Sequence, residues 1–115
     1  MTAPSRGDIV LVPFPFTDLS AVKRRPALVV SSDEYNRATG DVIIAQISSK
    51  LRSRPRPGDH LVGDWEAAGL LLPSLVRARI TTLHTSIVIR VLGTMPEGEM
   101  TGAERGLRLA LDLPS

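Results

Sequence analysis

Asp41-Val42-Ile43-Ile44-Ala45-Gln46-Ile47 is the stretch on which the fold turns. It is rich in β-branched residues and opens apolar on both faces, so it reads as a strand covered from two sides, central in a sheet. A second strand is expected just before it, Pro26-Ala27-Leu28-Val29-Val30-Ser31, with Pro26 tolerable at the first position because proline removes a ladder N–H. Between the two, residues 33–38 read as a helical turn closed by Gly40. Upstream, residues 8–12 form a strand that ends at Pro13. Residues 14–25, with turn residues Pro15, Asp18 and Ser20, read as a long loop.

Downstream, residues 50–58 carry Pro55, Pro57 and Gly58 and form a loop, from which His60-Leu61-Val62 returns as a short strand. Residues 65–72 read as a turn or one helical turn. Residues 74–80 alternate, with Leu75, Arg77 and Arg79 on one face and Val76, Ala78 and Ile80 on the other, the face expected to be buried. Residues 86–92 form a further strand. Thr101-x-x-Glu104 is a capping-box pattern for a terminal helix, whose apolar stripe is Ala103, Leu107, Ala110 and Leu111. Gly102 and Gly106 weaken that helix, so tertiary packing has to hold it. The expected fold is mainly β with flanking helices, an α+β domain over residues 1–115. Its five to seven short antiparallel strands bend into a small barrel with a C-terminal helix.

Composition narrows the chemistry. There is no cysteine, which excludes disulfides, thiolate metal sites and a cysteine nucleophile. The first residues lack the apolar core of a signal peptide, and residues 27–30 and 70–72 are far too short to span a bilayer. A cytoplasmic protein without membrane contact is expected. Net charge is only +2, but seven of the fourteen cations lie in residues 23–25 and 50–56, where there is no acid. The rest of the chain holds seven cations against all twelve acids, an excess of five negative charges. A mildly acidic protein with a concentrated basic deposit is what a polyanion footprint looks like, although two solvated arginine-rich loops would look the same.

The two histidines, His60 and His84, are far apart in sequence, and no H-x-x-x-H, helical carboxylate pair or Gly-rich phosphate loop occurs. The sequence therefore calls for no metal or other cofactor. A lone histidine at a strand edge is usually a surface residue, and the serine-nucleophile elbow G-x-S-x-G is absent. Arginine and hydroxyl chemistry remain. Arg25 stands before Pro26, where the loop meets the second strand, and its planar fork can grip two phosphate oxygens. If the second and third strands are antiparallel neighbours, Arg25 faces Ser48 at the end of the third. RNA carries its own nucleophile in the 2′-hydroxyl, so an enzyme that aligns the phosphate and stabilises its growing charge needs no metal. Taken alone, Arg25 reads equally well as a surface salt-bridge residue.

At these residues the sequence resembles the MazF/PemK family of toxin ribonucleases from bacterial toxin–antitoxin pairs. The resemblance runs through Arg6-Gly7-Asp8-Ile9-Val10, Arg25-Pro26-Ala27-Leu28-Val29-Val30-Ser31, Ala45-Gln46-Ile47-Ser48-Ser49, Leu75-Val76-Arg77 and Ile80-Thr81-Thr82-Leu83, in order along nearly the whole chain. It implies an SH3-like or CcdB-like barrel, a homodimer, and sequence-selective, metal-independent cleavage of single-stranded RNA to a 2′,3′-cyclic phosphate. It also implies a cognate antitoxin whose acidic segment covers the basic groove. Arg25 matches the arginine of the family's R-P motif. The family's threonine role falls to Ser48, with Ser49 as a substitute.

The expected RNA contacts are Phe16, Ser20, Lys23, Arg24, Gln46, Lys50, Arg52, Arg54 and Arg56. Phe16 can stack on an unpaired base or pack beneath its loop. Arg52, Arg54 and Arg56 alternate, so an extended loop would point all three at phosphates. Two readings compete with the ribonuclease: a non-catalytic toxin of the same fold that poisons a protein such as gyrase, and a plain RNA-binding module.

Overall fold

The computed structural model describes residues 3–14, 23–51 and 55–114. Eight regular elements follow in order. They are β1 (Asp8–Phe14), β2 (Lys23–Val29), α1 (Asp33–Thr39), β3 (Asp41–Ser48), β4 (His60–Leu61), β5 (Leu75–His84), β6 (Arg90–Thr94) and α2 (Glu97–Leu111). The strands form one antiparallel sheet in the order β4-β5-β3-β2-β1-β6. As its sequence requires, β3 lies inside, between β2 and β5. Alternation along it serves two cores. Ala45 and Ile47 face Ile9, Leu28, Val76 and Ala103 on the side covered by α2. Val42 and Ile44 face Val10, Val12, Ala27, Val29 and Val88 on the other. Among the described residues this second cluster consists of sheet residues and Val88, and Val10, Val12, Ala27 and Val29 in it are fully buried. The architecture is a half-barrel with two helices.

Helix α1 forms as its sequence demands. The Ser32 hydroxyl accepts the Tyr35 N–H at its start, and Gly40 closes it at φ 74°, a left-handed conformation cheap only for glycine. Among the described residues no helix is long and apolar enough to cross a membrane.

Four expectations need correction. Residues 23–25 are strand, not loop: Lys23, Arg24 and Arg25 pair with Phe14, Pro13 and Val12 of β1, which supplies the ladder that composition alone does not announce. Pro26 is thus mid-strand, and it sits where the β2–β3 pairing, which covers Ala27 to Val29, stops.

In β5 the buried face is not Val76, Ala78 and Ile80. The register shifts between Ala45 and Ile47, so three residues of β5 separate the partners Val76 and Ile80. The alternation breaks, leaving Leu75 buried and Ile80 41% exposed. The strand expected at residues 86–92 begins with a 3₁₀ turn, Thr85–Ile87, and β6 proper starts at Arg90.

Helix α2 starts at Glu97 behind Pro96, not at Thr101. Thr101 is inside the helix and its hydroxyl donates to the Glu97 carbonyl. Ala103 and Gly106 are buried and Leu107 is half-buried, but Ala110 and Leu111 are exposed. The two glycines explain the docking. A Cβ on Gly102 would overlap the His60 imidazole, and one on Gly106 would overlap the Gly58 carbonyl oxygen. What looks like helix weakness is the space that lets α2 lie against the loop leading into β4.

Candidate active site

The β2–β3 register pairs Ala27 with Gln46, Leu28 with Ala45 and Val29 with Ile44. Carried two residues further, it sets Arg25 level with Ser48. Alternation then puts Arg25, with Ala27 and Val29, and Ser48, with Gln46 and Ile44, on one face. That face continues the second core, and Arg25 lies directly opposite the buried Val12 of β1. Arg25 and Ser48 are both half-buried, whereas Lys23 and Arg24 are exposed. A guanidinium at the rim of an apolar floor acts on a phosphate more strongly than one in bulk water.

The Ser48 hydroxyl is engaged. Its Oγ accepts the Lys50 N–H at 3.2 Å. A hydroxyl has two lone pairs and one proton, so this bond leaves the proton able to donate. Ser49 is exposed, and its carbonyl accepts the Leu51 N–H. The Lys50 carbonyl in turn accepts from Arg77 Nη2 at 3.3 Å. Arg77 lies two residues beyond Leu75, the β5 partner of Ser48, within the stretch where the β3–β5 register shifts. Sequence reasoning had Arg77 on a strand face without connecting it to the site.

Gln46 lies one step deeper than Ser48. Its Oε1 is enclosed and has no hydrogen-bond partner among the described residues. Lys50 and Arg56 are exposed, and the Arg56 N–H caps a turn on the Asp59 carboxylate at 2.9 Å. Phe16, Ser20, Arg52 and Arg54 lie outside the described residues.

Neither histidine belongs to this face. His60 pairs with Val76, on the α2 side, and Nε2 is 2.8 Å from Glu99 Oε1. Burial pushes the Glu99 carboxyl up, but the Asp64 N–H, the His60 imidazole and the Gly63 N–H outweigh it and hold the pKa below the usual 4.5. An ionised carboxylate only accepts, so His60 Nε2 carries the hydrogen. His84 pairs with Asp41 at the far end of β3 and accepts the Ser86 N–H on Nδ1. His60 thus ties β4 to α2, and His84 caps the 3₁₀ turn that follows β5. A groove of about 550 Å³ along α2, lined by Gly58, His60, Gly102 and Arg105, shares none of the residues around Arg25.

The sequence profile of the PemK-like, MazF-like toxins of type II toxin–antitoxin systems matches residues 5–111. The chain belongs to this family. Endoribonuclease MazF6 of Mycobacterium tuberculosis is 37% identical over 95 residues, which covers 79% of this chain and 81% of that protein. Endoribonuclease MazF2 of Mycobacterium bovis matches to the same extent, 37% over 95 residues. Among solved structures, a mycobacterial endoribonuclease in complex with its cognate antitoxin superposes with a TM-score of 0.78 at 28% identity, over 98% of this chain and 99% of that one. A MazE–MazF complex from Deinococcus radiodurans superposes at 0.77 with 21% identity, over 99% of this chain and 100% of that one, a likeness of fold. The six-stranded curled sheet with its C-terminal helix is thus the MazF fold.

Proposed function

We propose that this MazF-family chain, acting as one domain, is a cytoplasmic endoribonuclease toxin that cleaves single-stranded RNA, mRNA included, without a metal. The RNA 2′-hydroxyl loses its proton to water as its oxygen bonds to the adjacent phosphorus, the P–O5′ bond breaks, and the departing 5′-oxygen takes a proton from water, so the products carry a 2′,3′-cyclic phosphate and a 5′-hydroxyl. Arg25 stabilises the charge that grows on the non-bridging oxygens, through the two parallel hydrogen bonds its fork can make. Arginine's pKa is too high for easy proton transfer, so charge stabilisation is its first role. The Ser48 hydroxyl donates a hydrogen bond to the same phosphate, and Ser49, exposed beyond the strand, is the lesser candidate. Lys23, Arg24, Lys50 and Arg56 hold the strand by its phosphates, as do Arg52 and Arg54, with Gln46, Phe16 and Ser20 nearer the bases.

The observation that supports this reading is the β2–β3 register, Ala27 to Gln46, Leu28 to Ala45 and Val29 to Ile44, which, continued two residues past the end of the ladder, would set Arg25 opposite Ser48 on the face of the second core. Family membership and endoribonuclease relatives support it. The mycobacterial endoribonuclease solved in complex with its cognate antitoxin supports such a partner for this chain. Exposed Ile89 and Val91 at the sheet edge, Leu109 and Leu111 on the last turn of α2 and Leu113 just beyond it support a homodimer.

The test is incubation of the purified protein with mixed-sequence RNA in excess chelator, wild type beside Arg25→Ala. Cleavage by the first and loss by the second is expected. Intact RNA that stays tightly bound would mean an RNA-binding module. Intact RNA with blocked gyrase supercoiling would mean a protein poison.

A further inference from the structure

Serine has an unbranched Cβ, so its hydroxyl has three staggered wells and no methyl to choose among them. Only one well can aim it at a given phosphate oxygen. Ser48 is the last residue of β3, so what fixes it must come from outside the strand. Two hydrogen bonds in series supply this. Ser48 Oγ accepts the Lys50 N–H at 3.2 Å, and the Lys50 carbonyl accepts from Arg77 Nη2 at 3.3 Å. Both are at the long end of the range, so each is modest. Their value lies in the connection. Arg77 is half-buried and rooted on β5, the longest strand, so its fork holds the Lys50 peptide unit and that unit holds the hydroxyl.

We propose that Arg77 is a positioning residue, orienting the Ser48 hydroxyl through the Lys50 peptide without itself touching RNA. The proposal rests on the cleavage reading above, but its structural half stands apart from it. A planar guanidinium keeps its direction when it donates to a carbonyl, whereas an ammonium on a flexible stem does not.

The test compares kcat, KM and the salt dependence of RNA binding for wild type, R77Q, R77K, S48T and R77Q/S48T, all in chelator. R77Q is expected to lower kcat about 3–10-fold, the worth of one modest hydrogen bond, with KM and salt slope as in wild type. In the S48T background the β-branched side chain restricts its own χ1, so R77Q should cost no more than about 2-fold. R77K should behave like R77Q but more mildly, and it carries the same comparison should R77Q not melt cooperatively. Equal losses in the two backgrounds would overturn the proposal. So would a salt slope reduced by about 0.7 together with a raised KM, the signature of a direct phosphate contact.

Three-bond couplings across the Ser48 Cα–Cβ bond give a readout free of activity. One rotamer in wild type and averaging in R77Q is expected, while one rotamer in both contradicts the relay. A wild type that cleaves nothing would sink the cleavage reading, and the couplings would still decide the relay.

Discussion

Gly106→Ala sets two effects of known sign against each other. In a helix interior alanine is favoured over glycine by about 0.8–1.0 kcal/mol, so propensity alone predicts a more stable protein. The new Cβ, however, would overlap the Gly58 carbonyl oxygen and come within 3.0 Å of its carbon. The obstacle is backbone, so no side-chain rotation relieves it. Either Gly58 moves from its φ of 96°, or α2 lifts and loosens Ala103, which is 1% exposed in the first core. Overpacking of this kind costs about 1–3 kcal/mol, and a helix that lifts forfeits burial as well. The clash should win by about 1–2 kcal/mol, a drop of roughly 3–8 °C in Tm for a chain of this size. Gly98, on the same helix, meets nothing within 4 Å, so Gly98→Ala should instead stabilise by about 0.5–1 kcal/mol. Thermal melts followed by far-UV circular dichroism at one protein concentration measure both. A Gly106→Ala protein that melts at or above wild type would refute the close-packing account of α2.

Glu99→Gln should destabilise by about 1–2 kcal/mol at neutral pH, because the carboxylate accepts from both His60 Nε2 and the Asp64 N–H. Since its folded pKa lies below 4.5, Glu99's contribution is full above that value and is lost as pH falls through the folded pKa. Denaturant titrations from pH 7 downward should therefore show the wild type and Glu99→Gln converging in acid, and a constant gap would contradict this. Replacing Lys23, Arg24 and Arg56 together by alanine should raise KM and flatten the plot of log affinity against log salt by about 2, near 0.7 per single-strand phosphate contact. An unchanged slope would remove those side chains from the RNA path.

The parts of the fold that local patterns control were legible. Strand β3 declared itself by an apolar run with β-branched residues, and α1 by Gly40 at its end. The antiparallel neighbourhood of β2 and β3 was legible as well, although the ladder between them covers only Ala27 to Val29 and stops short of Arg25. What stayed hidden depended on contacts distant in sequence. The strand character of residues 23–25 comes from β1, and the exposure of Ile80 comes from a register shift against β3. The start of α2 was misread because Pro96 offers no side-chain cap, while Thr101 and Glu104 imitate one inside the helix. Glu97 and Glu99 in the first turn were the available signal. His60 and Glu99 are 39 residues apart, and nothing local links them. Arg77 was seen but not connected, because its link to Ser48 runs through the Lys50 peptide unit, which has no sequence signature.

In the proposed reaction Arg25 and Ser48 act together on one phosphate. The most direct test is a double-mutant cycle in kcat, with Arg25→Ala, Ser48→Ala and the double variant turning over saturating RNA in chelator. Arg25→Ala should cost about 100-fold or more and Ser48→Ala roughly 10-fold, with the double variant little worse than Arg25→Ala alone. Losses that multiply cleanly would contradict a shared phosphate and separate the two residues.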